Sequence, residues 1–366
     1  MAYGSIMSIS NDSSEFNNAI LKITGPKTGS TITVTQGSTV INAIEDNGVW
    51  TAEVGKGSWV VSCTMSGLID TKTVIIDNYK IYNIVLEFLP DNLDDASWDK
   101  ISEARKTGVI GNFYSIGDCK KITLNGNHVI YNNYNCGTYG FSCYVVLVDI
   151  DSSHLTFQFG KLENSANAKM FAFTDAYYAS CSVKRGRYCI QMNGNGYQEG
   201  GYFDSSHGWP DTWMRKHYLG GQGPSSANTS SNKTFYWCLP DDLRSKLISV
   251  SMHSGAYNTN YYSSDYITLP SEYEIRGSVR YYGSATHTGE RQLDYYRLGN
   301  AQTKYRLGVN SGIMDQNPIV AVYLTRTYVR EDLDDSESNY GGVGIGQDGY
   351  SQIWNCCGSI APLFFV

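Results

Sequence analysis

Five carboxylates crowd eight residues in Arg330-Glu-Asp-Leu-Asp-Asp-Ser-Glu337. Clustered oxygens of this kind are what a calcium ion needs, because it takes six to eight of them. The spacing of an EF-hand loop is absent, so the stretch is expected to be a solvated loop, and no metal is assigned. The six histidines (128, 154, 207, 217, 253 and 287) are scattered, and none forms the i, i+4 pair of a metalloprotease helix. Neither a Gly-x-Ser-x-Gly elbow nor a Walker loop occurs. Nine cysteines show no CxxC pair. Their odd number, and an amino terminus without a charged and apolar leader, favour buried thiols over a disulfide framework. Asp204-Ser-Ser-His207 and Asp211, near Trp209 and Trp213, offer an acid and a base, but Asp211 or Thr212 is better placed to cap a helix. Asn228-Thr-Ser and Asn232-Lys-Thr match the glycosylation pattern and are taken as ordinary loop polars. No catalytic set, cofactor or metal site follows, and the chain is expected not to be an enzyme.

The residues that remain are those of a contact surface. Tyrosine occurs 29 times, against 12 Phe and 7 Trp. It gives rigid contact area with a polar tip, although it also suits strands. Its most suggestive setting is a terminal hairpin, Tyr340–Ile345 with 350–355. Alternation turns Val343, Ile345 and Ile353 inward and leaves Tyr340, Tyr350, Gln352 and Trp354 outward. The expected ligand-binding residues of this hairpin are Tyr340, Tyr350, Gln352, Trp354 and Asn355.

Elements must position this surface, and the sequence is mainly β. Charged residues are 17% of the chain and there are 37 glycines, as in a compact, turn-rich protein. A net charge of −7 without a basic stripe argues against nucleic acid. No run approaches the roughly twenty apolar residues of a membrane span. Residues 1–18 read as a flexible terminus. Residues 19–89 alternate apolar and polar over six strands, a β-sandwich of immunoglobulin-like or prealbumin-like type. Residues 90–96 form a linker, and 97–366 a second, α+β domain. Ser97 caps a helix that ends at Gly108. Further helices are predicted over 212–219, 241–250, 271–275 and 292–298. The Gly/Ser/Asn-rich segment 220–232 reads as a functional or mobile loop.

Several phrases occur in a shared order. Gly29-Ser-Thr-Ile-Thr-Val-Thr-Gln-Gly37 and Gly55-Lys-Gly-Ser-Trp-Val-Val-Ser-Cys-Thr64 resemble the Ig-like repeats of phage tail proteins. Ser97-Trp-Asp-Lys-Ile-Ser, Ile116-Gly-Asp-Cys-Lys-Lys-Ile-Thr-Leu-Asn-Gly, Trp213-Met-Arg-Lys and Leu239-Pro-Asp-Asp-Leu-Arg resemble an uncharacterised domain family. So do Leu269-Pro-Ser-Glu-Tyr-Glu-Ile-Arg-Gly, Tyr295-Tyr-Arg-Leu-Gly-Asn and Ile360-Ala-Pro-Leu-Phe. That family occurs in tail-associated proteins of Firmicutes phages and prophages. The end of the chain is similar to the C-type-lectin-like fold of variable proteins of diversity-generating retroelements. Tyr323-Leu-Thr-Arg-Thr-Tyr328 stands where such proteins carry Trp-Leu-Arg-Ser-Pro, with the Trp and the Ser-Pro replaced, and Gly358-Ser-Ile-Ala-Pro362 matches their closing phrase.

The resemblance implies an Ig-like spacer followed by a C-type-lectin-like domain that displays a diversified, receptor-binding surface at the tip of a phage tail. It adds Tyr323, Arg326, Tyr328 and Arg330 to the expected ligand-binding residues. It implies location in the virion after synthesis in the bacterial cytoplasm without a signal peptide. The implied partners are a host-surface protein or glycan and other tail proteins, with neither nucleic acid nor membrane insertion. A homo-oligomer is expected, a trimer by preference. The alternatives are a tail-associated glycan-degrading enzyme using Asp332, Asp334 or Glu337, and a structural tail component. The same fold family includes formylglycine-generating enzymes, but Cys356 and Cys357 face opposite ways on a strand and have no activating base.

Overall fold

The computed structural model describes residues 18–27, 29–65, 67–124, 129–130, 134–135, 142–165, 168, 170–173, 190–191, 208–212, 214–226, 228–230, 234–256, 259–278, 290–299, 307–310, 313–314, 323–330, 340–345, 351–354, 357–358 and 360–366. They are mainly β, in several sheets. They fall in two compact units. One holds the described residues up to Asn92 with Glu103–Tyr114, and the other holds Leu93–Ser102 with Ser115–Val366.

The first unit is built from eight strands: β1 (Ala19–Thr24), β2 (Thr31–Gln36), β3 (Thr39–Asn42), β4 (Ile44–Asp46), β5 (Val49–Val54), β6 (Gly57–Met65), β7 (Leu68–Ile76) and β8 (Ile81–Val85). They form two four-stranded sheets, ordered β4-β5-β1-β8 and β3-β2-β6-β7. Alternate residues turn into a shared core that includes Leu21, Ile23, Val34, Trp50, Trp59, Val61 and Ile84. Each buried indole satisfies its N–H on a carbonyl, Trp50 on Ser30 at 3.0 Å and Trp59 on Gly55 at 2.9 Å. Asn47 and Gly48 both take positive φ and join β4 to β5 in the tight turn that an Asn-Gly pair favours. β3 and β4, which the alternation did not reveal, are edge strands with little buried on either face.

The second unit centres on a five-stranded antiparallel sheet ordered β18-β25-β13-β12-β9. Its strands are β9 (Cys119–Thr123), β12 (Ser142–Ile150), β13 (Leu155–Lys161), β18 (Ile267–Thr268) and β25 (Leu363–Phe365). Every residue of β13 is buried, so both faces of the sheet are covered. On one face Phe157, Phe159 and Phe364 meet Trp98 and Phe235 at ring separations of 4.9–6.1 Å. On the other, Val146, Val148 and Leu363 pack with Ile275, Leu293 and Tyr296. Gln158 lies within that second face and is fully buried. Its amide donates to Ala361 O at 2.9 Å, and the Tyr296 hydroxyl donates to its carbonyl.

Around this sheet lie the hairpin of β16 (Val250–Ala256) and β17 (Thr259–Asp265), and a three-stranded sheet of β21 (Tyr323–Arg330), β22 (Tyr340–Ile345) and β23 (Ser351–Trp354). Smaller pairings join β10 (Val129–Ile130) to β11 (Tyr134–Asn135), β15 (Ile190–Gln191) to β24 (Cys357–Gly358), and β14 (Phe171–Phe173) to β19 (Leu307–Asn310), which pairs with β20 (Ile313–Met314).

The helices are short: α1 (Trp98–Lys106), α2 (Gly208–Asp211), α3 (Phe235–Cys238), α4 (Asp241–Arg244), α5 (Glu272–Arg276) and α6 (Asp294–Leu298), with a π-helical turn at Met214–Leu219. Ser97 Oγ accepts from the Lys100 N–H at 3.3 Å, and Gly108 follows α1 with φ +72°. Thr212 Oγ1 accepts from the Arg215 N–H at 3.1 Å, so the cap expected at Asp211 or Thr212 is Thr212. The helix predicted over 241–250 stops after one turn. The Ile248 N–H donates to Phe365 O of β25 at 3.0 Å, and this bond captures the chain before it enters β16.

The segment 220–232 is also a correction. Its described part is a knot around Asn228, which is fully buried. The Asn228 amide donates to Gly220 O at 3.2 Å and Gly223 O at 2.7 Å, while its carbonyl accepts from Thr234 Oγ1 at 2.9 Å. The four described cysteines with described side chains, Cys63, Cys119, Cys143 and Cys238, are buried free thiols, and burial pushes the Cys143 thiol far up.

Candidate functional site

The expected contact surface is tested first by strand register. Tyr323, Tyr328 and Arg330 lie on β21, Tyr340 on β22, and Gln352 and Trp354 on β23. Tyr328, Gly342 and Trp354 fall in one cross-strand row, Leu324, Gly344 and Gln352 in another, and Arg330 pairs with Tyr340. With Arg326, which is also on β21, the topology brings seven of the nine residues onto three neighbouring strands. Tyr350 and Asn355 lie outside the described residues, as do Asp332, Asp334, Glu337, Cys356, Asp204, His207, Trp213 and Asn232.

Arg326 departs from the expectation. It is fully buried and cannot be a surface contact. The register of β21 on β22 shifts between Leu324 and Tyr328, which takes Arg326 out of the ladder, and its own N–H donates to Pro270 O at 3.0 Å. The guanidinium makes five hydrogen bonds. Nε donates to His253 O at 3.0 Å. Nη1 donates to Leu269 O at 2.8 Å and Glu274 Oε2 at 2.7 Å. Nη2 donates to Glu274 Oε1 at 2.6 Å and Glu290 Oε1 at 2.9 Å. Its pairing with Glu274 is the fork-to-fork geometry that makes such ion pairs strong.

Glu274 is itself fixed by α5. Ser271 Oγ accepts from the Glu274 N–H at 3.0 Å, and Glu274 Oε2 accepts from the Ser271 N–H at 2.9 Å, a complete capping box. One guanidinium therefore serves two carboxylates, and Glu274 takes the bidentate share. Burial pushes the Glu290 carboxyl up to about 7, with Arg326 opposing the rise and Glu274 adding to it. Burial also works against the charge of Arg326, but Glu274 and Glu290 hold it protonated above its ordinary range.

This cluster forms part of the wall of a cavity of about 340 Å³ within the second unit. Asp149 and Asp151 lie on another wall. Arg291 donates to both oxygens of Asp149, through Nη1 to Oδ1 at 2.8 Å and through Nη2 to Oδ2. Burial lifts the Asp149 carboxyl above its usual value despite this partner. The Asp151 carboxyl is held low, first by the Ser153 backbone N–H, then by the Ser153 hydroxyl and by His154 and Arg291. His154 stands edge-on to Phe365 at 5.3 Å. At the hairpin, Tyr262 pairs with His253 across β16 and β17, with ring centroids 5.2 Å apart, and is 63% exposed. Met252, Leu293 and Leu363 supply apolar lining.

The sequence reading missed this cavity. Ser271-x-x-Glu274 is legible as a capping box, but Glu290-Arg291 belongs to no pattern, and Asp149 ends a strand that reads as apolar. Among the described residues, no group of three or more His, Cys, Asp or Glu is placed to hold a metal ion, and no helix is long and apolar enough to cross a membrane.

A second buried carboxylate, Asp265, accepts from Trp209 Nε1 at 2.8 Å, Arg215 Nε at 2.6 Å and Ser263 Oγ at 2.9 Å. Trp209 thus belongs to a structural network. No family model matches the chain, and no curated protein matches it. A solved structure of a DUF3823 family protein from Bacteroides ovatus ATCC 8483 is similar at 14% identity over 19% of this chain and 44% of that one, with a TM-score of 0.16. The chain spans less than half the length of that protein, and the similarity bears on neither fold nor function.

Proposed function

We propose that the chain is a receptor-binding protein of a phage or prophage tail that grips the host surface without catalysis. In this reading the first unit is an Ig-like spacer and the second a C-type-lectin-like scaffold. Tyr323, Tyr328, Arg330, Tyr340, Gln352 and Trp354 make the contact surface, with Tyr350 and Asn355 beside them. The observation that supports it most is the anchoring of β21: Arg326 ties the strand to α5 through Glu274, giving the three-stranded sheet a rigid root. A rigid platform with aromatic and amide groups in adjacent rows suits recognition, because little order is lost on binding. The lectin-like reading draws on β25, which pairs with β13 from some two hundred residues earlier in the chain. Its sharper form makes 323–357 the target of a diversity-generating retroelement, so that sister sequences would differ mainly there.

The partners in this reading are a host-surface protein or glycan and other tail proteins, the location is the virion, and several copies, three by preference, supply avidity. Adsorption of the purified full chain to host cells is the test. The double replacement Tyr340→Ala and Trp354→Ala reduces adsorption at least about tenfold at unchanged melting temperature. Undiminished adsorption rejects the reading.

A second reading, a glycan hydrolase, draws on the cavity, where Glu290 titrates near neutrality and Asp151 stays ionised. Such a split is how an acid and a base share one site. Reducing-sugar release from host envelopes that Glu290→Gln abolishes would favour it over binding alone.

A further inference from the structure

We infer that the cavity between the β16–β17 hairpin, the 149–154 turn and α5 is a binding site for a non-acidic sugar unit. The inference deepens the receptor-binding reading, on which it rests for its biological setting, by making the receptor a glycan. It moves part of the contact away from the β21–β23 sheet.

Three observations carry it. The first is size and lining: about 340 Å³ lies at the lower end of the 300–1,000 Å³ usual for small-molecule sites, and the walls mix apolar and polar groups. The second is the kind of polar group. Carboxylates only accept and guanidiniums only donate. Here Asp151, whose carboxyl is held low and ionised, stands with Arg291, whose side chain is 47% exposed although it grips Asp149. Neighbouring sugar hydroxyls each donate and accept, so a wall that offers both roles side by side is their complement. The third is Tyr262. It keeps 63% of its surface in solvent at the cavity, and its cross-strand neighbour His253 holds the ring in place. An exposed ring of fixed orientation beside polar groups is a stacking platform for the C–H face of a pyranose.

Charge sets the class of sugar. The lining carries four carboxyl groups (Asp149, Asp151, Glu274 and Glu290) against two guanidiniums (Arg291 and Arg326), and even with Glu290 neutral the carboxylates outnumber the guanidiniums. An anionic ligand would enter a field of its own sign, which disfavours uronic acids, sialic acids and phosphorylated sugars. Neutral and amino sugars meet no such penalty, and an amino sugar gains from the acidic excess.

The test is saturation-transfer NMR with calorimetry on the full chain. The probes are the methyl glycosides of glucose, galactose, mannose, N-acetylglucosamine and glucosamine, with glucuronic acid as the acidic control. The expected result is binding of at least one non-acidic glycoside with Kd on the order of 1 mM or tighter, and none of the acid at that level. Tyr262→Ala weakens binding at least about tenfold at unchanged melting temperature, whereas Tyr262→Phe retains it. Asp151→Asn weakens it as well. Equal binding of glucuronic acid, indifference to Tyr262→Ala, or no saturation transfer from any glycoside overturns the inference.

Host adsorption separates it from the broader reading. If Tyr262→Ala leaves adsorption intact while Tyr340→Ala with Trp354→Ala removes it, the cavity inference falls and the receptor reading stands. If a glycoside binds through Tyr262 and neither set of variants affects adsorption, the receptor reading falls and the cavity site stands.

Discussion

Arg326 shows how far a single side chain can depart from its place in a pattern. In the phrase Tyr323-Leu-Thr-Arg-Thr-Tyr328, which resembles the displayed stretch of the lectin-like family, it reads as a surface cation. A register shift between Leu324 and Tyr328 instead directs it inward to Glu274 and Glu290. Nothing in the local sequence announces that shift, because a bulge depends on what the neighbouring strand and α5 offer. Removing the charge strands two buried carboxylates, so Arg326→Met should cost about 3–5 kcal/mol of stability, measured by urea unfolding of the full chain. A smaller loss than that of an exposed arginine would contradict the assignment.

Glu290 makes a separate, pH-dependent prediction. Its carboxyl is raised from 4.5 to about 7 by burial, with Arg326 of β21 and the Ser271 hydroxyl opposing the rise and Glu274 of α5 adding to it, and with His253, Asp149 and Arg291 at the same cavity. Between those two values the folded state holds more protons than the unfolded one. Its contribution is therefore fully present below about pH 4.5 and is lost as pH rises through about 7, by up to about 3 kcal/mol. Glu290→Gln should flatten that slope in melting curves taken from pH 5 to pH 8.

At the scale of elements, local rules succeed where one face is buried and fail at edges and knots. The alternation in β1, β2, β5 and β6 is readable because every second side chain enters the core. β3 and β4 bury little, with Val40 62% and Ile44 74% exposed, so no pattern marked them. The capping box at Ser271 and the turn at Asn47-Gly48 are local and could be read directly. The Asn228 knot could not, since Gly, Ser and Asn in a row look the same whether they are solvated or wound around a buried amide. Asn228→Ala leaves the carbonyls of Gly220 and Gly223 and the Thr234 hydroxyl without this partner and should cost about 1–3 kcal/mol in chemical denaturation. Gly25 is the opposite case, a single residue whose role is steric. With φ +110°, a Cβ there would meet Leu86 O at 1.8 Å. Gly25→Ala is expected to disrupt the β1–β8 junction, seen as loss of amide-exchange protection in both strands.

At the scale of the molecule, composition was enough for a mainly β chain, but the position of the cavity was not legible. Its walls come from residues 149, 151, 154, 156, 250–253, 262, 274, 290, 291, 293, 326, 363 and 365, and no short stretch contains enough of them to form a motif. The first unit also draws on residues beyond its strands. Tyr114 donates its hydroxyl to Pro90 O at 2.9 Å, and the Val109 side chain would stand 2.5 Å from a Cβ at Gly67. A fragment ending at residue 114 should therefore melt several degrees above one ending at residue 92, read by circular dichroism. The largest separation belongs to β25, which lies between β18 and β13 in its sheet and is fully buried. Until residues 360–366 arrive, the sheet has a slot between β18 and β13, beside Ile267 and Phe157. A copy cut short by a premature stop would be left with a sticky, open seam, marking it for proteases before it could compete with intact copies.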